Sequence, residues 1–170
     1  MNESYSRAQK ILHWLLAVLL LFWLFVSGEL VEEAEGEEKL FILGFHSGGA
    51  IIILCLMLYR LRLRLQRAVA PFAVLQDWEK AWSRRLHLAF YILVVMMVLS
   101  GLLQGMFFDM DVRVFGVINI TLSDNETLRN IFHNIHGLSA NLLKAAIAVH
   151  ILAALKHQFI DKHAALRRMA

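Results

Sequence analysis

The chain has 170 residues, of which 59% are hydrophobic and 18% charged, with 17 Lys and Arg against 14 Asp and Glu. A soluble domain is about 45–50% apolar; here the excess is gathered into long runs with the charges in blocks between them, which excludes an ordinary water-soluble globule. The runs are continuous rather than alternating, which excludes a transmembrane β-barrel.

Four runs are near the length of about 20 residues that a helix needs to cross the hydrocarbon. They cover residues 11–31, 40–60, 86–108 and 137–158. The expectation is an all-α, four-helix transmembrane bundle forming one domain over residues 1–170. The first run follows Arg7 and Lys10, as a signal peptide would, but it is long and no A-x-A-like cleavage site follows it. His13 and Trp14 open it. The loop after it, ELVEEAEGEEK, is acidic, with Lys39 as its one cation. The second run holds His46 near its outer end, followed by Gly48 and Gly49. It also holds Cys55, a lone cysteine without the companions of a disulfide or thiolate metal site, read as a small apolar filler.

The second run ends in Arg60, Arg62, Arg64 and Arg67, and Pro71, the only proline, lies in the loop beyond. LQDWEKAWSRRLH reads as an interfacial stretch with Trp78 and Trp82 at the headgroup level. The third run opens on His87 and contains Gly101 and Gly105, residues suited to close helix packing. SDNE, residues 123–126, fits a capping box and predicts a short outer helix leading toward the last run. The sequons NIT and NET are also present. The last run includes HGLSANLLKAAIAVHILAALKH, with His136, His150, His157 and, within the span, Lys144.

Thirteen of the 17 Lys and Arg fall on one side of these runs: before the first, between the second and third, and after the fourth. The positive-inside rule then places both termini in the cytoplasm, with the chain crossing the bilayer as a multi-pass protein. The arginines flank spans, where they meet anionic headgroups, so nucleic acid is not an expected partner. The lipid bilayer is.

The topology gives each histidine a depth. His13 and His87 open their runs on the cytoplasmic side, with His150 in the cytoplasmic half of the last run and His157 about two turns further. His46, His133 and His136 stand at the outer side; His163 is in the tail. His136 and His150 are 14 residues apart in the sequence. That is only about 40° short of four full turns, with about 21 Å between them along the axis. One helix face thus presents imidazoles at two depths, each level with a histidine of another run: His136 with His46, His150 with His13. Facing histidines across a bundle suit an iron porphyrin. Intramembrane ionisable groups are costly and default to a functional reading, although histidines at span ends are often only interfacial. Zinc or copper is the rival occupant, but no carboxylate or thiolate cluster completes a compact shell. His136 is preferred to His133 on phase; His87 is the alternative to His13. Small residues after His46 and His136, including Gly48, Gly49, Gly137, Ser139 and Ala140, would let a flat macrocycle approach the backbone.

The segments YSRAQKILHW, FHSGG, YRLRLR, HLAFYIL and the last run's HG…H…H pattern resemble the prokaryotic cytochrome b561 family over essentially the whole chain. The resemblance implies four spans, two b-type haems on histidine pairs, and electron transfer with a quinone in the bacterial inner membrane. Carried over, it assigns His13 and His150 to iron of the cytoplasmic-side haem and His46 and His136 to iron of the periplasmic-side haem. His157 and His87 are then left for quinone hydrogen bonding or proton transfer, and Arg60 for a haem propionate. The expected function is a dihaem cytochrome passing electrons between a periplasmic-side donor, with superoxide suggested by the family, and the quinone pool. The alternative is a haem-carrying anchor subunit of a larger dehydrogenase or hydrogenase. A transporter is disfavoured by unbroken runs and the lack of inverted repeats. A homodimer or a redox partner subunit is compatible with the small residues on the spans.

Overall fold

The computed structural model describes residues 4–71, 74–162 and 166–169. His163 lies outside the described residues. Helix α1, Arg7–Phe22, begins where Ser6 accepts a hydrogen bond from the Gln9 amide while the Gln9 side chain accepts one from the Ser6 amide. This reciprocal capping satisfies two of the amides that a helix start leaves open. A π-helical turn, Trp23–Ser27, follows and leads without a break into α2, Gly28–Glu33. The first span is therefore one rod over Arg7–Glu33.

The second span is α3, Gly36–Gln66, and the third is α4, Asp77–Met106. Both extend past their apolar runs into flanking polar sequence. The stretch expected to lie at the interface is the first part of α4, capped by Gln76 and Glu79, with Trp78 and Trp82 exposed. The fourth span is α5, Glu126–Leu155, prolonged by a second π-helical turn, Lys156–Ile160.

The expected short outer helix is corrected. The cap is Asn125, not Ser123; its side chain accepts from the Leu128 amide, and α5 runs uninterrupted from Glu126 into the membrane. Asn, like Ser, is a strong cap, and sitting next to the first helical residue it makes the earlier serine superfluous.

All four spans are long and apolar enough to cross a bilayer. Their outward surfaces carry exposed Ile11, Val18, Phe41, Ile52, Leu88 and Val149, side chains that hydrocarbon rather than water accommodates. Cys55 is exposed too, so it fills no core gap and lies on this lipid-facing surface. The close helix pairings are α4 with α5, α1 with α3, and α3 with α4. Leu12, Leu16, Leu20, Ile53, Val94 and Leu143 form the buried centre between them.

The two ends differ. The basic end carries Arg7, Lys10, the α3 C-terminus and the α4 N-terminus. The acidic end carries exposed Glu32, Glu33, Glu35, Glu37 and Glu38. It is roofed by a feature that the apolar pattern does not announce, a small hairpin of β1, Arg113–Val114, and β2, Ile118–Asn119, paired antiparallel. Its turn has positive φ at Phe115 and Gly116. The Phe115 amide donates to the Gly44 carbonyl at 2.9 Å, which ties the hairpin to α3.

Candidate cofactor site

Two imidazole pairs lie across the bundle. The rings of His46 on α3 and His136 on α5 have centres 6.2 Å apart, at 67° to each other. The rings of His13 on α1 and His150 on α5 are also 6.2 Å apart, at 69°. A metal bound at about 2 Å by each of two imidazoles sets ring centres roughly 6 Å apart. Both pairs have a ring spacing that would suit two imidazoles sharing one metal ion. His136 and His150 lie on one uninterrupted α-helix, so the pairs are separated by about 21 Å along its axis.

The acidic-end pair is oriented from behind. His136 Nδ1 donates to the Met97 carbonyl at 2.8 Å, and His46 Nδ1 meets the Ser27 hydroxyl at 2.9 Å. With Nδ1 engaged, Nε2 is the nitrogen left for a ligand, the arrangement usual in metal-binding histidines. The indole N–H of Trp23 donates to the His46 carbonyl at 3.0 Å, so the π-helical turn holds both the backbone and the ring of His46. His133 is exposed, with Nδ1 3.4 Å from Gln104 Nε2.

The glycines act differently from expectation. A side chain at Gly48 would meet the ring of Phe115, and one at Gly49 the ring of Trp23. These two glycines admit aromatic side chains rather than a macrocycle. Gly101 lies against His136, where an added Cβ would come within 3.0 Å of the ring. Gly137 meets nothing within 4 Å, which leaves open space beside His136.

At the basic end His150 has three ring neighbours: His13, His87 at 5.6 Å and Phe90 at 5.5 Å. His87 Nδ1 donates to the Ser83 carbonyl at 2.6 Å. Arg60 donates through Nη1 to the Tyr91 hydroxyl at 3.1 Å and through Nη2 to His13 Nδ1 at 3.4 Å. His157 lies in the second π-helical turn. Its Nδ1 is 2.7 Å from Asp161, and Lys156 bridges Asp161 at 2.7 Å and Glu79 at 3.6 Å. The Glu79, His157 and Asp161 ligand atoms lie within 4.8 Å of one another, with the ammonium among them. Hydrogen bonds from Lys156 first and His157 second hold the Asp161 carboxyl below its usual pKa. A groove of about 430 Å³ beside this cluster is lined by Val74, Gln76, Trp78, Glu79, Lys156 and Asp161. Lys144 lies with its ammonium 5.3 Å above the Phe25 ring, a cation–π contact within the first and last spans.

Sequence reasoning missed Ser27, Tyr91, Ser83 and the Met97 carbonyl. A carbonyl has no signature in sequence, and Ser27 reaches His46 only because of a π-helical turn that hydropathy does not register.

Four spans enclosing paired, oriented histidines define a helical membrane protein of the cofactor-binding kind. The chain belongs to the prokaryotic cytochrome b561 family, whose model matches residues 4–170. The resemblance read from the sequence is thereby borne out. No curated protein matches the chain. Membership implies haem b binding and electron transfer in a bacterial membrane.

Proposed function

We propose that this cytochrome carries two b-type haems, one per histidine pair, and passes electrons between a donor at the acidic end and a quinone at the basic end. One observation carries the proposal: two imidazole pairs of equal 6.2 Å separation at two depths of one bundle. His46 and His136 would hold the haem at the acidic end, and His13 and His150 the other; His13 would bind through Nε2 with its hydrogen on Nδ1, so Arg60 Nη2 would then lie beside that N–H instead of donating to it. Haem supplies a one-electron couple. The residues supply axial nitrogens, low-dielectric burial and orientation, the levers by which a protein sets its potential. Two irons on the order of 20 Å apart would divide a core of about 30 Å into shorter steps.

The quinone end is assigned by proton chemistry. Quinone reduction takes up protons, and His157, hydrogen-bonded to Asp161 beside an open groove, is suited to deliver one to a quinone oxygen. His87 is less free for that work than the sequence implied, since it lies against His150 and is held by Ser83. It remains the second candidate iron ligand at that level. The acidic surface is suited to a cationic redox partner. An anionic donor such as superoxide would have to approach by Arg113 or Arg129.

The test is a haem count on detergent-purified protein, by pyridine haemochrome against protein mass. Two haems per chain are expected. His136→Ala and His46→Ala should each lose one haem, and His150→Ala the other. One haem in the unaltered chain would overturn the proposal.

A further inference from the structure

Arg60 is an anomaly in its span. It is half-buried on α3, and its guanidinium is held by neutral groups alone, the Tyr91 hydroxyl and His13 Nδ1. No carboxylate among the described residues lies within ion-pair distance of it. The acidic-end arginines are arranged the opposite way. Arg129 pairs with Asp109 at 3.1 Å and Asp124 at 4.0 Å, and Arg113 with Asp111 at 3.4 Å. No Lys or Arg among the described residues hydrogen-bonds His46 or His136, whose Nδ1 atoms meet a hydroxyl and a carbonyl. A fixed charge that no protein carboxylate balances is expensive in a half-buried position and is retained where it does electrostatic work, here on the haem that His13 and His150 would hold, through a propionate or through the iron itself. Arginine cannot shed that charge by deprotonation.

We infer that Arg60 is a positioning residue that sets the redox asymmetry of the molecule, holding the haem at the basic end at a higher reduction potential than the haem at the acidic end. The inference rests on the two-haem reading above. The reasoning is electrostatic. Reduction adds one electron to the iron centre, so a nearby fixed cation stabilises the reduced form more than the oxidised one. The interaction falls off as the reciprocal of distance and is strengthened by low dielectric. Arg60 Nη2 lies 3.4 Å from His13 Nδ1, and the His13 and His87 rings both lie beside His150, at 6.2 and 5.6 Å. The other pair lies about 21 Å further along α5 and feels it weakly. Tyr91, buried at 8% exposure, fixes the guanidinium in place. The two histidine pairs are alike in spacing, so the difference between the sites lies behind the ligands, in a cation at one end and neutral dipoles at the other.

The test is a redox titration of the purified holoprotein followed at the reduced haem absorbance band, with haem content measured in the same samples. The unaltered protein should titrate in two components. Arg60→Met should move the higher component to lower potential and leave the other in place, and Arg60→Lys should keep most of the separation. Tyr91→Phe, which frees the guanidinium without removing its charge, should give a smaller shift of the same component. Should the Met variant lose haem, Arg60→Gln against Arg60→Lys decides: a lower potential in Gln alone supports the inference, and equal potentials overturn it. A shift confined to the lower component, equal shifts of both, or no shift also overturns it. A single haem in the unaltered protein would instead be the failure of the two-haem reading.

Discussion

Ser27 and Asp161 illustrate what single side chains contribute behind the reactive groups. Among the described residues, the Ser27 hydroxyl is the only side-chain partner of His46 Nδ1. Loss of such a supporting hydrogen bond typically weakens a metal site about 10–100-fold. Ser27→Ala should therefore speed transfer of one haem, and not the other, to an apo-globin acceptor; equal release of both would refute the role. Asp161 lies beyond the spans, and its lowered pKa means that the folded state favours the carboxylate. The stability that its negative charge contributes is full at neutral pH and is lost as pH falls through that lowered value. The thermal midpoints of the unaltered protein and Asp161→Asn should differ at pH 7, begin to approach each other below about pH 4, where free carboxylates protonate, and converge only below the lowered value. A gap independent of pH would mean that Asp161 acts by shape rather than by charge.

At the scale of elements, the helices are joined through glycines that accept rings. Gly49 takes Trp23, whose indole is pinned by its hydrogen bond to the His46 carbonyl and cannot easily yield. Gly49→Ala overpacks that contact and should destabilise by about 1–3 kcal/mol, read as a lower thermal midpoint in detergent. Gly28 offers the control. An added Cβ there would meet only the Trp23 carbonyl at 3.6 Å, an ordinary contact, and its backbone is helical. Gly28→Ala should be neutral or stabilising by up to about 1 kcal/mol. If the two substitutions behave alike, the α1–α3 contact does not depend on Gly49. The spans themselves were legible in sequence, because twenty apolar residues in a row have few other uses. The hairpin over the acidic end was not: its strands are two residues each, and the anchoring bond to Gly44 is made by a backbone amide. Gly48 and Gly49 were assigned to a macrocycle because smallness says that something approaches, not what.

The whole molecule is a polarised object, basic at one end and acidic at the other. By the positive-inside rule the basic end should face the cytoplasm. In a Cys55→Ser background, a cysteine at Glu35 should react with a membrane-impermeant maleimide added to intact cells, and one at Arg84 should not. Labelling of the Arg84 site alone would invert the assignment of ends. The facing of the histidine pairs was also readable at this scale, since depth follows from topology and phase from the helical period. His136 and His133 differ by three residues, yet only His136 keeps step with His150, and it is His136 that stands opposite His46. What the period could not rank was His13 against His87. Both enter from the same end on different helices, and both come to rest beside His150.

The π-helical turn at Trp23–Ser27 has one more consequence. A π turn accommodates an extra residue in an α-helix, and each residue carries about 100° of rotation. The first span therefore has two independently set azimuths, one aiming His13 at α5 and the other aiming Trp23 and Ser27 at α3. Deleting a single apolar residue from this turn would leave length and hydropathy almost unchanged while swinging one half of the rod against the other. The span would still insert, but it could keep faith with only one of its two histidine partners at a time.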